Sequence, residues 1–549
     1  MDELFETALR QKGQGDLEQA IDTLRRLLFQ RPSHVMGANA LAELLLETNQ
    51  TSEAKNGFAH VLQLDPNHLN AALQLGFLCI QEKKPAEAAY AFHQAVRIDP
   101  CSEVARRYYG IVLNDLGDFK RAVDALRRAV ELDPSIPDSH LALGVAFKQL
   151  KQFEESASCY QKAIELNPTS EMAYTNLGNV FEELEQFDEA VQVHEKAASL
   201  SPNNAIVLCN YGQVLRNVGR LHESLAVYDR AIHVDPGCAR AQFNRSHVLF
   251  LLGDFERGFE TYEWRWKYYP IRDFGCPEWD GSSLQGKSIL LYAEQGLGDT
   301  IQFIRYVSST RQRASRRLIV ECQPALVPLL SCFEGIDEIV ARGSRLPEFD
   351  VQAPLMSLPR ILKLQPHLYS PCVPYLHPKP NLVEQWRSKL AQRSGFNIGI
   401  CWQGSATHMR DRIRSVPLSL FSHLANLPGV NLISLQKGAG TDQIRQNDFP
   451  VIDFADSLDE ANGPFMDTSA LIASLDLVIS IDSAIAHMSG ALGVKTWIVL
   501  STQPDWRWTQ YGTKSPWYPT VRLFRQEQRN DWESVFRSMR DTWTMSPAS

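Results

Sequence analysis

The chain has 549 residues, 44% hydrophobic and 22% charged, a composition typical of globular proteins and long enough for roughly three or four domains. Its formal net charge is −9, and the whole excess lies in residues 1–272, which hold 37 acidic and 28 basic side chains. This balance argues against a nucleic-acid partner, because such binding depends on Lys and Arg side chains that neutralise phosphates.

Nothing in the sequence indicates export or a membrane. The first residues, MDELFETALRQKGQGD, lack the basic segment and apolar core of a secretory signal. No apolar run approaches the ~18 residues that a membrane-spanning helix needs. The ten cysteines form no CxxC pair and no Cys/His ligand spacing, which is typical of reduced core thiols. We therefore expect a cytoplasmic protein without membrane contact.

The first half of the chain repeats itself every 34 residues. The mark is a proline at each interval: Pro32, Pro66, Pro100, Pro134, Pro168, Pro202, Pro236 and Pro270. Within each unit the eighth and twentieth positions are small, and the twenty-fourth is large. Small residues let two helices cross closely, and the large one fills the gap between neighbouring units. The pattern matches the tetratricopeptide (TPR) repeat, so we predict an α-solenoid of eight helix pairs over residues 1–270.

Three consecutive repeats carry asparagine at their sixth position, on the first helix: Asn176, Asn210 and Asn244. An amide offers a donor and an acceptor together and can bind the backbone of an extended peptide with little regard to sequence. The TPR superhelix of the O-GlcNAc transferases carries a similar asparagine ladder. The alternative is that these are solvated polar positions. We predict that the TPR groove binds a protein through these amides.

Residues 271–286 are rich in Gly, Pro, Ser and Asp and indicate a linker. The following segment, SILLYAEQGLGDTIQFIRYV (288–307), reads as a buried strand, a turn made possible by Gly296 and Gly298, an acid, and a helix. Open parallel α/β sheets bind ligands at the carboxyl ends of their strands, where Asp299 would lie. Asp299 is therefore a catalytic candidate, although a carboxylate there can also serve only as a helix cap.

The remaining pattern alternates strands and helices, which predicts two α/β lobes, residues 287–380 and 395–530. Predicted strands cover residues 289–293, 317–322, 337–341, 350–353, 397–404, 430–436, 451–456, 477–481 and 497–500. Predicted helices cover residues 323–333, 381–389, 418–427 and 469–475, with a further one starting after residue 483. A last amphipathic helix, in residues 531–549, is expected to pack back onto the first lobe.

The strand 477–481 ends at Asp482 and Ser483, and a helix follows. The free N–H groups and positive dipole end of such a helix suit an anion, with the Ser483 hydroxyl as a further donor. His487 lies one turn into this helix and could contact a phosphate or ribose, although a satisfied packing histidine is the alternative. The Trp-rich loop at 504–508 could stack on a sugar or base, or could wedge its tryptophans between the lobes.

Taken together, these motifs resemble TPR-containing bacterial glycosyltransferases, some of them flagellin-modifying, whose catalytic half is related to the heptosyltransferases. The shared motifs are the GxGD turn, a WxG strand end, an arginine-rich loop, SLQ-G, DSAIAHMSGALG and PDWRW. The resemblance implies a GT-B fold of two Rossmann-like lobes. It implies an inverting enzyme that transfers a sugar from a nucleotide-sugar substrate to Ser or Thr of a protein, with flagellin suspected. We expect no metal and no cofactor, because no DxD-like acidic pair stands at a strand end.

The same resemblance implies a role for each motif. Asp299 would be the general base, and Asp482, Ser483 and His487 would hold the donor phosphates. One of Arg410, Arg412 and Arg414 would meet the donor phosphate, and which of the three serves is left open. The other donor-side positions are Gly298, Trp402, Gly404 and Gln436, of which Gln436 would hold the ribose or base.

Three other functions remain open from the sequence. One is transfer to a lipid or oligosaccharide, as in the heptosyltransferases themselves. Another is a catalytically inactive TPR adaptor that binds nucleotide. The third is a nucleotide-sugar epimerase, for which a TPR array has little purpose.

Overall fold

The computed structural model describes residues 3–313, 315–364, 373–405, 407 and 411–545. The chain divides into two compact units, Met1–Val214 and Leu215–Ser549. The predicted boundary near residue 270 therefore does not coincide with the division between the units.

Antiparallel helix pairs follow one another through the first half, as the 34-residue period predicts. The described residues up to Tyr262 form sixteen α-helices. They are α1 Glu3–Gln14, α2 Leu17–Gln30, α3 Val35–Glu47, α4 Thr51–Leu64, α5 Leu69–Gln81, α6 Pro85–Ile98, α7 Glu103–Asp115, α8 Phe119–Leu132, α9 Pro137–Gln149, α10 Phe153–Leu166, α11 Glu171–Glu183, α12 Phe187–Leu200, α13 Ala205–Asn217, α14 Leu221–Val234, α15 Ala239–Leu251 and α16 Phe255–Tyr262.

The small eighth position lies against the large twenty-fourth position of the same repeat. A Cβ atom added at Gly110 would lie 2.4 Å from Leu126 Cγ, and one at Gly144 would lie 2.7 Å from Tyr160 Cε1. Both large side chains are fully buried. The glycines are therefore needed because the facing side chain already fills the space where a Cβ would stand.

Replacing Gly110 by Ala is expected to destabilise the first unit by about 1–3 kcal/mol, because the added methyl overpacks the buried Leu126. Gly13, in helix α1, has no atom within 4 Å of an added Cβ. Gly13→Ala is therefore the matched control and should stabilise by about 0.5–1 kcal/mol through helix propensity. Urea unfolding followed by far-UV circular dichroism measures both. Equal shifts for the two variants would contradict the packing argument.

The second unit contains two sheets whose paired strands are all parallel within the described residues. The first sheet has the order β3-β2-β1-β4, with β1 Ser288–Tyr292, β2 Arg317–Cys322, β3 Glu338–Ala341 and β4 Val351–Pro354. Its helices are α17 Leu297–Phe303, α18 Val307–Arg311, α19 Val327–Leu330 and α20 Leu358–Ile361. Strands β1 and β2 are buried almost throughout, which explains their apolar sequences.

The second sheet has the order β6-β5-β7-β8-β9. Its strands are β5 Phe396–Cys401, β6 Val430–Ser434, β7 Leu477–Ile481, β8 Thr496–Leu500 and β9 Val521–Arg525. The helices of this part are α21 Pro380–Leu390, α22 Asp411–Arg414, α23 Ser422–Ala425, α24 Met466–Ile472, α25 Ala484–Ala491 and α26 Trp532–Met545. The α/β pattern is thus confirmed.

Several local predictions differ from the structure. The helix predicted over 418–427 is a 3₁₀ turn, Leu418–Phe421, followed by the four-residue α23. Residues 451–456 form only an isolated bridge, from Ile452 to Ile433, because the segment pairs at one residue and then leaves the sheet edge. Strand β9 was not predicted. The helix predicted over 323–333 is a 3₁₀ turn followed by the four-residue α19, with Pro324 and Pro328 at the starts of these two short elements.

Helices α14 to α16, with the last residues of α13, belong to the second unit because aromatic residues of this segment pack on the α/β region. Phe250 of α15 stacks on Trp506 with ring centroids 4.3 Å apart. The backbone N–H of Gln510 donates to the Leu251 carbonyl over 2.9 Å. The end of the repeat array is therefore part of the same compact body as the two sheets.

The predicted C-terminal helix is present as α26, but its expected packing on the first lobe is wrong. Phe536 lies in the core of the second sheet, with its ring 4.8 Å from that of Phe421. Trp543 packs edge-on against Phe396 at 4.7 Å. The apolar face of α26 therefore covers the second sheet. No helix among the described residues is long and apolar enough to cross a membrane.

Candidate functional site

Both sheets place a turn with polar residues at the point where the strand order reverses. In the first sheet the chain runs from β1 outward to β3 and then returns to β4, beside β1. In the second sheet the reversal lies between β5 and β7. Ligands of open α/β sheets bind at such switch points, beyond the carboxyl ends of the strands. Asp299 lies in the first turn of helix α17, which follows β1, and the turn after β7 contains Asp482 and Ser483.

These turns line one cleft of about 390 Å³ within the second unit. Its walls come from both sheets and from the loop after β8. The lining residues are Gly296, Leu297, Gly298, Asp299, Gly404, Ser405, Ile413, Arg414, Asp482, Ser483, Ala484, His487, Val499, Leu500, Ser501, Gln503, Pro504, Asp505 and Arg507. The volume is in the range of small-molecule sites.

Asp299 is fixed by a backbone and a side-chain partner. Its Oδ2 accepts the N–H of Gly296 over 2.8 Å, closing the first turn of α17, and its Oδ1 accepts from Nη2 of Arg507. The helix-cap function weighed from the sequence is therefore present in addition to the cleft position. Burial raises the pKa of Asp299, and the Arg507 guanidinium opposes that rise. A raised pKa suits a group that must take up a proton.

The need for glycine at position 298 has a different cause from the one predicted. Gly298 lies inside helix α17, and Gly296 has an ordinary φ of −74°, so no left-handed turn is involved. A Cβ atom at Gly298 would stand 2.8 Å from Cδ2 of His487. Gly298 is required because α17 and α25, from the two sheets, approach each other closely here.

The start of helix α25 has the arrangement expected of an anion site. Ser483 is the N-cap residue in extended conformation, and its side chain makes no capping hydrogen bond to the helix. Its hydroxyl lies 3.0 Å from the Ser480 hydroxyl. The first N–H groups of a helix have no partner within the helix, so they and the Ser483 hydroxyl can donate to an oxyanion in the cleft.

Asp482 holds the loop after β8 rather than pointing freely at the cleft. Its Oδ1 accepts Nε1–H of Trp508 over 2.8 Å. Burial, and the neighbouring Asp505 carboxylate, raise the pKa of Asp482. A carboxyl with a raised pKa carries less negative charge near neutral pH, which reduces its repulsion of an anion.

His487 lines the cleft as a neutral ring. Burial lowers the pKa of His487 to about 3, and the Arg507 charge acts in the same direction. Its Nδ1 lies 3.0 Å from the Tyr518 hydroxyl, and its ring stacks on Trp508 at 5.0 Å. His487 is therefore a packed histidine that also lines the cleft, and its contact with a phosphate or ribose stays a prediction.

Of the three candidate arginines, the structure places Arg414 in the cleft wall. Nη1 of Arg414 donates to the Asp482 carbonyl over 3.1 Å, and its Nε lies 3.4 Å from Asp411 Oδ1. Arg412 is exposed and does not line the cleft. Arg410 lies outside the described residues. Gly404, in the loop after β5, lies close to this side chain, since a Cβ there would stand 2.3 Å from Nη2 of Arg414.

Two predicted donor residues do not line the cleft. Trp402 is fully buried, and its Nε1 donates to the Gly440 carbonyl over 3.2 Å. Both amide atoms of Gln436 bond to the backbone of loops. Its Oε1 accepts from the N–H groups of Trp402 and Gln403, and its Nε2 donates to the carbonyls of Gln403 and Ala439. Their observed contacts hold the loops after β5 and β6 in place, and a direct role in donor binding has no structural support.

Sequence reasoning missed Arg507 and Asp505, which line the cleft from the loop after β8. The motif PDWRW had drawn attention for its tryptophans, and these are packing residues: Trp506 stacks on Phe250, and Trp508 is fully buried. A usable signal was present in the alternation of charged residues with tryptophan directly after a buried strand.

The three asparagines each lie on the first helix of a repeat, as predicted: α11, α13 and α15. Asn210 is buried, with 7% of its surface exposed, and Asn176 and Asn244 are half-buried. Asn176 and Asn210 lie in the first compact unit and Asn244 in the second. Peptide binding by these amides stays a prediction.

Family models described as "TPR repeat" match residues 110–151 and 146–185, and models described as "Tetratricopeptide repeat" match residues 5–55, 173–204 and 211–263. The chain therefore contains TPR repeats, whose helical arrays suggest a protein-binding groove. The matched residues all precede the two sheets.

Protein FlbA of Caulobacter vibrioides (strain ATCC 19089 / CIP 103742 / CB 15) is 26% identical over 310 residues. The match covers 52% of each chain, so the chain spans about half the length of this curated relative. Among solved structures, YrrB, described as a TPR protein with an unusual peptide-binding site, is 22% identical, with a TM-score of 0.32 over 34% of this chain and 95% of its own. PilF of Pseudomonas aeruginosa is 18% identical, with a TM-score of 0.33 over 38% and 95%. Such scores carry no information about function here.

Proposed function

We propose that the chain is a glycosyltransferase of the GT-B type that moves a sugar from a nucleotide-sugar donor to a Ser or Thr hydroxyl of a protein. One observation carries this proposal. A half-buried aspartate with a raised pKa, Asp299, and an uncapped helix start at Ser483 come from two different parallel sheets and line the same cleft. A base opposite an oxyanion site is what displacement of a phosphate from a sugar carbon requires.

The reaction follows from these positions. The acceptor hydroxyl gives its proton to a carboxylate oxygen of Asp299, and its oxygen forms a bond to the anomeric carbon. The bond from that carbon to the donor phosphate oxygen breaks, and its electron pair leaves with the nucleotide. The α25 N–H groups and the Ser483 hydroxyl stabilise the phosphate where charge develops. Attack on the face opposite the leaving phosphate inverts the anomeric centre.

The catalytic groups in this scheme do not include a metal ion or a resident cofactor, because helix α25, Ser483 and the cleft arginines supply the positive potential. Sugar transfer should therefore continue in excess EDTA. A strict requirement for a divalent cation would contradict this part of the proposal.

A protein acceptor is favoured because the TPR repeats suggest a protein-binding groove. Helices α14 to α16 share a compact unit with the cleft, so a segment bound there would be near it. Flagellin is the acceptor to test first, by resemblance to flagellin-modifying enzymes. Transfer to a lipid or oligosaccharide and an inactive nucleotide-binding adaptor are the rival functions.

The test is intact-protein mass spectrometry of flagellin incubated with the purified full chain and a panel of UDP-, GDP-, ADP- and CMP-sugars. We expect a mass increase of one or more sugar residues with one donor class. Ser483→Ala, which removes one proposed phosphate donor, should slow the transfer. If a donor is consumed only when a lipid or glycan acceptor is present, the proposal of a protein acceptor is refuted. If no donor is consumed with any acceptor, the proposed glycosyltransferase activity is refuted and the adaptor function is favoured.

A further inference from the structure

Arg507 lies in the cleft between two carboxylates from different parts of the chain. It is part of the 3₁₀ turn Trp506–Trp508, after β8, and its side chain is only 9% exposed. Nη1 donates to Asp505 over 2.7 Å, and Nη2 donates to Asp299 of helix α17. Its guanidinium also lies over the Trp506 ring, 4.3 Å from the centroid. The group is thus held in a fixed plane at the cleft wall.

The guanidinium retains an unused donor. Within the part of the chain that the structure describes, Nε of Arg507 is buried and has no hydrogen-bond partner. A buried polar group without a partner is costly, of the order of 1–3 kcal/mol, and such groups recur at functional sites. An arginine presents its donors as a planar fork that fits two phosphate oxygens at once. The arrangement of Arg507 therefore indicates a ligand with paired anionic oxygens.

The hydrogen bond from Arg507 lowers the proton affinity of Asp299, the proposed general base. An oxygen that accepts a charged hydrogen bond from arginine is a weaker proton acceptor, because protonating it would forfeit that bond. The two functions of Asp299, pairing with Arg507 and accepting a proton, therefore compete. A phosphate that takes the Arg507 donors would relieve this competition.

We propose that Arg507 is a ligand of the donor phosphate, and that it exchanges its Asp299 contact for the phosphate oxygens so that donor binding releases the base. This inference rests on the proposed function of the cleft. Arg507 can keep Asp505 on Nη1 while Nε and Nη2 turn to the phosphate. Acceptor deprotonation is thereby coupled to the presence of the donor.

Arg414, the other described arginine of the cleft wall, does not offer this coupling. Its hydrogen bonds are to Asp411 and to the Asp482 carbonyl, both within the second sheet region. It makes no described hydrogen bond to the first sheet. A phosphate on Arg414 would leave the Asp299 contact unchanged.

The test is a double-mutant cycle on the binding of inorganic pyrophosphate, measured by titration calorimetry of the full chain at pH 8 without metal. If Asp299 competes for Arg507, Asp299→Asn should tighten pyrophosphate binding about 10-fold, which corresponds to about 1.4 kcal/mol. In an Arg507→Gln background the same change should tighten binding less than about threefold. Arg507→Gln alone should weaken binding about 10-fold or more, as loss of a charged hydrogen bond does.

Asp482→Asn is the matched control, because it also removes a cleft carboxylate, but one that is bonded to Trp508 rather than to Arg507. Its effect on binding should depend on Arg507 much less than the effect of Asp299→Asn does, because Asp482 feels the Arg507 charge without a hydrogen bond to it. Equal effects of Asp299→Asn in the two backgrounds would overturn the exchange and leave only a general charge effect. Absence of pyrophosphate binding by the wild-type chain and by Asp299→Asn would overturn Arg507 as a phosphate ligand.

Arg507→Lys serves as a second variant in case Arg507→Gln does not fold. It keeps the positive charge but lacks the paired N–H donors of a guanidinium. The same reduction of the Asp299→Asn effect is expected with it. The cycle does not depend on sugar transfer. A chain that couples pyrophosphate to Asp299 without transferring sugar would refute the proposed function alone, and a transferring chain without coupling would refute this inference alone.

Discussion

Replacing Asp299 by Asn is expected to lower the rate of sugar transfer by about 10²- to 10⁴-fold, the usual contribution of a general base. The amide is nearly isosteric, and its oxygen can still accept the Gly296 N–H that closes helix α17. What is lost is the ability to take the acceptor proton. Initial rates with a fixed acceptor and saturating donor measure the effect, with far-UV circular dichroism to verify the fold.

The pH dependence of this rate has a definite sign. Burial raises the pKa of Asp299, and the base works only when ionised. The wild-type rate should therefore fall as the pH is lowered through the raised pKa, and the residual rate of Asp299→Asn should lack this limb. A variant with the same pH limb as wild type would assign the limb, and the base, to another group.

Asp254→Asn is the matched control for the loss of a capping carboxylate. Asp254 caps helix α16, accepting the Arg257 N–H over 3.2 Å, and does not line the cleft. This variant should transfer sugar within about twofold of wild type, since an asparagine cap is nearly as good. An equal loss of rate in Asp254→Asn and Asp299→Asn would show that the Asp299 effect is one of folding.

Replacing Arg265 by Met is expected to destabilise the second unit by about 3–5 kcal/mol, because it leaves buried carboxylates without their counter-charge. Arg265 follows the last repeat and is 1% exposed. It donates to Glu294 and Glu263, each over 3.0 Å, and to Ser357 Oγ over 2.7 Å. Glu294 directly precedes the turn that carries Asp299, so this network ties the end of the repeats to the cleft.

The unfolding measurement can be made specific to the second unit. All eleven tryptophans of the chain lie between residues 264 and 543, so tryptophan fluorescence in urea reports this unit alone. Arg257→Met is the control: its pair with Asp254 is at the surface, and its loss should change stability by less than about 0.5 kcal/mol. Adding Glu294→Gln to Arg265→Met should recover part of the loss. A loss at Arg265 as small as at Arg257 would contradict the buried-charge argument.

Much of the fold was readable from the sequence because the relevant forces are local. The 34-residue period of prolines and small residues reflects the packing of each helix pair on its neighbour, and it predicted the TPR repeats. Apolar runs such as residues 289–293 and 477–481 predicted buried parallel strands, since such strands are covered on both faces. The polar residues directly after them, Asp299 and Ser483, followed from the rule that ligands bind at strand carboxyl ends.

What the tertiary structure alone decided is which of these residues meet. Asp299 and Arg507 are 208 residues apart in sequence, and no periodicity links them. Gln436 is a strand-end polar residue like Ser483, yet its amide is consumed by loop backbone. The amphipathic sequence of helix α26 is compatible with packing on either sheet. Contacts such as that of Phe536 with Phe421 show that it packs on the second. Local pattern determines secondary structure and burial, whereas the pairing of distant polar groups is set by how the two sheets and their loops pack together.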